Sequence, residues 1–343
     1  MSLTFEIIES TDGAKLEELR QFVEGHTERS IWQHPDMFLF YQGQENHAAF
    51  FILARNEQKQ IKASLLAIQQ WEAGKLRKHL TQRCLVLGVP LIAALDPLSL
   101  RQLLLRLQRR AGHKNLFIQF RPLSGKLRHE KQFIKFGFEI QERINIHIPV
   151  KDIKTNWQKL SESKRRQIRK SRQKGAYIQT AKTEADVKAF YAILKELYQK
   201  KIGKPLPPVA FFKSLLRQSN GNHPALLLLV KHKEKVCGGI LCALTPEKCI
   251  YEWFVCGLDR EFRPKGIYPS VMATWAAIEY ALENNIPEFN MMGAGKPGIP
   301  YGVREFKLRF GGRAVPDFRY NKVQNGALYQ LAEFLYNVKR WIH

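Results

Sequence analysis

The sequence predicts a mixed α/β fold organised as two tandem modules. Strand-like apolar runs alternate with amphipathic helical stretches along the whole chain. Each half runs through the same order of helix, strands, helix and strands, without visible sequence repetition. At 343 residues, 45% of them hydrophobic, the chain has the length for two domains and the apolar content for real cores. The expected division is 1–150, completed by a strand and a helix over 313–343, and 151–312.

In the first half, Leu16, Leu19, Phe22 and Val23 give an amphipathic helix over 14–23. Trp32, Gln33 and His34 cluster ahead of Pro35, as either a packed corner or a ligand-facing loop. Residues 50–53, 62–71 and 84–89 are strand-like, and 98–110 is a helix with a basic outer face. Residues 117–120 form a strand with Arg121 just beyond its end. Ile144, Ile146, Ile148 and Val150 alternate with Asn145, His147 and Pro149, which predicts a half-exposed strand with His147 on its face.

The second half opens on the densest charge cluster in the chain. Lys164, Arg165, Arg166, Arg169, Lys170, Arg172 and Lys174 fall on a helix over 161–174 that Gly175 ends. Ile168 is its main apolar contact, so most of the cluster should be solvated. It is either a soluble basic helix or a phosphate-binding face, whose affinity would fall steeply with salt. A helix over 186–199, a Pro-rich linker at 204–208 and a further helix lead to apolar strands at 225–230 and 236–244. Gly238 and Gly239 inside the latter suggest a bulge or close backbone approach. A strand at 249–255, a basic loop and a helix from Pro269 follow, Pro suiting the first helical turn. The strand 288–292 empties into Gly293–Gly302, a loop too rich in Gly and Pro to be a plain connector. Lys307 comes next on a short helix between Phe306 and Phe310, apolar neighbours that would desolvate it. A strand at 313–320 and an amphipathic helix close the chain.

Lys and Arg total 55 against 31 Asp and Glu, a net charge of +24. Such a surface favours polyanions: RNA, DNA, nucleotide phosphates or an anionic membrane face. The five Cys show no CxxC pair and no Cys/His ligand spacing, which predicts buried thiols and no metal. No apolar run reaches membrane-span length and the first residues carry no signal-peptide pattern, so a cytoplasmic location is expected. The chain has no G-x-S-x-G elbow, Walker loop or Cys/His arrangement for nucleophilic catalysis.

The strand, loop and helix around Arg263-Pro264-Lys265-Gly266-Ile267-Tyr268 resemble the pyrophosphate loop of GCN5-related (GNAT) acyltransferases. Those enzymes use Arg/Gln-x-x-Gly-x-Gly/Ala ahead of a helix, so that backbone amides grip coenzyme A phosphates. Tyr268 fills the last small position here, and its ring argues against ordinary coenzyme A binding. A fuller set of features resembles the FemABX peptidoglycan aminoacyltransferases, which have two such modules. These are Ser163 to Lys170 followed by Gly175, Tyr251-Glu252-Trp253, Tyr268 followed by Trp275 to Ile278, Gly293-Ala294-Gly295, and Phe306 to Gly312.

The resemblance implies transfer of an amino acid from aminoacyl-tRNA to an amine of a nucleotide- or lipid-linked muropeptide, with no cofactor. It implies that Lys307, with Phe306 beside it, stabilises charge on the attacked carbonyl. Arg263 and Tyr268 would hold the acceptor's phosphates and sugar, with Trp32, Gln33 and His34 lining the acceptor groove and Tyr301 also meeting substrate. Lys164, Arg165, Arg166, Arg169 and Lys170 would meet tRNA phosphates, and the basic surface also admits peripheral contact with the inner face of a membrane. Glu252, Glu305 and Asp317 are base candidates that serve equally well as structural partners. Two other readings compete. One is an N-acyltransferase using coenzyme A or an acyl carrier; the other is a non-catalytic RNA-binding protein, for which Lys307 would be dispensable.

Overall fold

The structure is a computed structural model that describes residues 3–10, 12–93, 97–123, 125–218 and 225–341. The chain divides into two compact units, residues 1–143 with 316–343, and residues 144–315. Each is a mixed α/β unit with helices on a sheet. In chain order the strands are β1 (Thr4–Ile8), β2 (His47–Arg55), β3 (Ile61–Gln70), β4 (Arg83–Leu87), β5 (Leu91–Ile92), β6 (Phe117–Arg121), β7 (Glu139–Pro149), β8 (Ala176–Thr180), β9 (Ala225–His232), β10 (Lys235–Thr245), β11 (Cys249–Gly257), β12 (Glu288–Gly293) and β13 (Arg313–Val323).

In the first unit the strand order is β1-β2-β3-β4-β6-β13, with β5 on β3. Strands β4 and β6 run parallel, whereas β1, β2 and β3 are antiparallel to their neighbours. The helix Pro97–Ala111 packs Leu100, Leu103, Leu104 and Leu107 onto one sheet face, over Ile52, Val86, Ile118 and Phe120. Trp32 and Gln33 form a packed corner, both fully buried. The Gln33 amide is spent on main chain: Nε2 donates to Leu87 O (2.6 Å) and Leu66 O (3.3 Å), and Oε1 accepts from Leu66 N (2.8 Å). Strand β1 and the helices Pro35–Gln42 and Lys75–Thr81 escape the sequence reading. They are too short for a clear period.

In the second unit the order is β7-β12-β11-β10-β9-β8, antiparallel except for β11 and β12. The helix Pro269–Glu283 is apolar nearly all round, as a central helix must be, and buries Val271, Trp275 and Ile278 on the sheet. Gly238 permits its approach: a Cβ there would lie 2.8 Å from the Pro269 ring and 2.9 Å from Cys256 O. The register of β10 shifts just before Gly238, as the sequence suggested. Helix Glu184–Leu197 covers the other face through Val187 and Phe190 and opens with a reciprocal Thr183–Asp186 capping box.

The segment from Ile144 to Val150 is not half-exposed. Asn145, Ile146, His147 and Ile148 are all buried, because β7 has neighbours on its face as well as a partner at its edge in β12. His147 Nδ1 sits 2.8 Å from Glu288 Oε1, and this contact holds the Glu288 carboxyl below its usual range. All five cysteines are free and buried.

Candidate functional site

The centre of the second unit's site is where β11 and β12 part. The two parallel strands pair only at Ile250 with Phe289 and Tyr251 with Asn290. Past that point Met292 turns to a positive φ of 54° and β12 ends at Gly293. The Lys307 ammonium, from the short helix Gly302–Leu308, donates to the carbonyls of Met291 and of Gly293 (3.2 Å). It also pairs with Glu252 Oε1 of β11 at 2.9 Å. Three hydrogens thus meet three acceptors. Lys307 and Glu252 are each 6% exposed, so this is a buried ion pair. The second Glu252 oxygen has no hydrogen-bond partner.

Phe306 is half-buried and meets Phe310 at a centroid distance of 5.3 Å. The preceding loop is latched by Arg304, a residue the sequence reading did not single out. Its guanidinium donates to the carbonyls of Ala294 (2.9 Å), Ile299 (3.2 Å) and Lys296. Gly295 is needed beneath it: its φ is +89°, and a Cβ would meet the Tyr301 ring at 3.0 Å. Tyr301 itself is exposed.

The basic helix Glu162–Gln173 buries one stripe, Lys164, Ile168 and Ser171. Lys164 therefore leaves the set of solvated phosphate binders. Its ammonium lies 3.7 Å from the Phe306 centroid and 4.9 Å from that of Phe310. Burial pushes its pKa down to about 8, with Arg309 and Arg263 adding to the effect against Asp259. Arg165 is half-buried and donates to Gln158 O at 3.1 Å. Arg166, Arg169 and Lys170 are exposed.

The amides of the loop ahead of the central helix are already engaged. Gly266 N donates to Arg263 O, Ile267 N to Phe262 O, and Val271 N and Met272 N to Tyr268 O. Tyr268 N donates to Ser171 Oγ at 3.0 Å. Ser270 N donates to Asp259 Oδ1 at 3.3 Å, and its hydroxyl to Asp259 Oδ2. Pro269 has no N–H. A carboxylate thus stands at the helix N-terminus, where a pyrophosphate would otherwise gather amides. Arg263 is exposed and Tyr268 half-buried against the core. Among the described residues no group of His, Cys, Asp or Glu is placed to hold a metal ion.

Residues 158–307 match the acetyltransferase (GNAT) domain family. The crystal structure of FemX superposes with a TM-score of 0.67 at 14% identity, covering 95% of this chain and 99% of that one. The fold is that of a FemX-like tandem GNAT protein. L-PGS from Bacillus licheniformis gives a TM-score of 0.58 at 14% identity, over 96% of this chain and 98% of that one. A tandem GNAT protein from the clavulanic acid biosynthesis pathway gives 0.55 at 10% identity, over 94% and 99%. No curated protein matches the sequence. The GNAT match lies within the second unit, and Lys307 stands at the end of the matched segment.

Of the residues read from sequence, Lys307, Phe306 and Lys164 come together in the second unit. Arg263 and Arg309 lie close enough to lower the Lys164 pKa. Trp32 and Gln33 belong to the first unit and are packing residues, not groove-lining ones. Asp259, Ser171 and Arg304 were missed. An Asp ten residues ahead of a helix, or a Ser on a basic one, carries no local signal.

Proposed function

We propose that the protein transfers an aminoacyl group from aminoacyl-tRNA to an amine of a nucleotide- or lipid-linked muropeptide, without a cofactor. The observation that carries the choice of donor is the filled loop at Gly266–Met272. Its amides are already engaged and Asp259 adds a negative charge, so the residues present do not fit the pyrophosphate of coenzyme A. An aminoacyl ester brings its own activation, and the site needs only positioning and charge stabilisation.

In this reading the acceptor nitrogen attacks the ester carbonyl. A C–N bond forms, the C–O bond to the tRNA ribose breaks, and the proton lost by the amine ends on the departing ribose oxygen. Lys307 stabilises the oxyanion. Its longest hydrogen bond, 3.2 Å to Gly293 O, is the one a substrate carbonyl would displace most easily. Glu252, 2.9 Å from the ammonium, holds the lysine in place. Exposed Arg166, Arg169 and Lys170 meet the tRNA backbone.

Binding distinguishes the donors. Titration with a charged tRNA is expected to give saturable binding that weakens steeply with salt. Acetyl-coenzyme A is expected not to bind. Saturable coenzyme A binding that Arg263→Ala abolishes would contradict the reading.

A further inference from the structure

The first unit carries a second, unexplained concentration of charge. Strands β4, β6 and β13 are neighbours. Side chains of one parity, Cys84, Val86, Ile118, Phe120 and Tyr320, point into the apolar core. Those of the other parity include Arg83 on β4, Gln119 and Arg121 on β6, and Asp317, Arg319 and Asn321 on β13, beside the apolar Leu85, Leu87 and Phe117. The antiparallel ladder pairs Tyr320 with Phe120 and Asn321 with Gln119, and just past its end Arg319 lies close enough to Arg121 to lower its pKa.

Two like charges close together on neighbouring strands repel. Here both are also partly desolvated: Arg83, Arg121 and Arg319 are each half-buried. Burial, then Arg319 and Arg83, bring the Arg121 pKa down to about 9. Burial and Arg143 lower that of Arg319. Among the described residues, four guanidiniums, of Arg83, Arg121, Arg143 and Arg319, lie near two carboxylates, of Asp317 and Glu72. The excess is two positive charges. The hydrogen bonds also leave donors open. Arg121 Nε donates to Gln119 Oε1, and Gln119 Nε2 donates to Asn321 Oδ1, which braces the guanidinium. Among the described residues, neither Nη group of Arg121 and no guanidinium nitrogen of Arg319 has a hydrogen-bond partner.

We propose that this face of the first unit binds a phosphate or diphosphate group between Arg121 and Arg319. A dianion matches the excess of two, whereas a carboxylate would leave one charge uncompensated. Two guanidinium forks on a rigid sheet present paired donors at fixed spacing, the geometry that phosphate oxygens accept. Gln33, hydrogen-bonded to Leu87 O, secures the strand end that pairs with Arg121. The proposal does not depend on the donor assigned to the second unit.

The test is thermal unfolding of the full chain at constant ionic strength. The titrants are inorganic phosphate, pyrophosphate, ADP and UDP, with binding to phosphatidylcholine vesicles containing phosphatidic acid measured in parallel. Wild type is expected to show a saturable rise in midpoint. Arg121→Gln and Arg319→Gln should each weaken the apparent affinity roughly 10- to 100-fold, as expected when one charge-assisted hydrogen bond is removed. Their ligand-free midpoints should equal or exceed that of wild type, because each removes a repulsion. Arg77→Gln, an exposed control, should bind as wild type does. A response to soluble diphosphates assigns the site to a free or nucleotide-linked group. A response to the vesicles alone, abolished in both variants, assigns it to a lipid headgroup. No saturable rise and no vesicle binding, equal responses in all four proteins, or ligand-free midpoints that fall in both variants would overturn the proposal.

Discussion

At the residue scale, the Lys307–Glu252 pair joins stability to chemistry. Removing one partner of a buried pair leaves an uncompensated charge, so Lys307→Met should destabilise the protein by about 3–5 kcal/mol. Denaturant unfolding checks this. Adding Glu252→Gln should recover most of that loss without restoring transfer, which separates folding from catalysis. Lys164 offers a pH signature. Its folded pKa of about 8 lies below the ordinary 10.5, so the folded protein resists its protonation. The stability penalty is full below pH 8 and is lifted as pH rises from 8 towards 10.5. Lys164→Met should therefore gain on wild type at pH 7, and the gain should shrink by pH 10, as urea midpoints at the two pH values would report. Lys307 was legible in the sequence because it stands between two phenylalanines. Its pairing with Glu252, 55 positions away, was not, and neither was the burial of Lys164 within a run of solvated charges. Both depend on which faces the fold brings together.

At the element scale, the central helix and the Gly-rich loop make the sharpest claims. Gly238→Ala should cost about 1–3 kcal/mol by overpacking, since the Pro269 ring and the β11 backbone are both rigid. Thermal unfolding reads the loss. Arg304→Ala should leave the global midpoint close to wild type while lowering transfer, because it frees the loop at Ala294, Lys296 and Ile299 rather than the core. Helices with a wide apolar stripe and the long strands were readable from periodicity. The strand Ile144–Val150 misled because its alternating Asn and His look solvated; the buried contact of His147 with Glu288 satisfies a polar group that local pattern assigns to water. The Gly266 loop looked like an anion cradle for a similar reason. Its composition is right, yet Ser171 and Asp259 occupy its amides from elsewhere in the chain.

At the scale of the whole molecule, the +24 charge and the mixed α/β order were visible from the first reading, whereas strand order and register were not. Pairings such as Gln119 with Asn321 join residues 202 positions apart. The charge carries its own prediction for tRNA binding. Replacing Arg166, Arg169 and Lys170 with Gln should lower the slope of log K against log salt by about 0.7–0.9 for each phosphate that is no longer neutralised. The central claim is tested most directly by following labelled amino acid from charged tRNA onto a muropeptide amine, with wild type beside Lys307→Met. The account predicts label on the acceptor and a fall in kcat of roughly 10²–10³ in the variant, the cost of losing an oxyanion donor. Unchanged transfer in Lys307→Met, or turnover of an acyl-coenzyme A in place of charged tRNA, would contradict it.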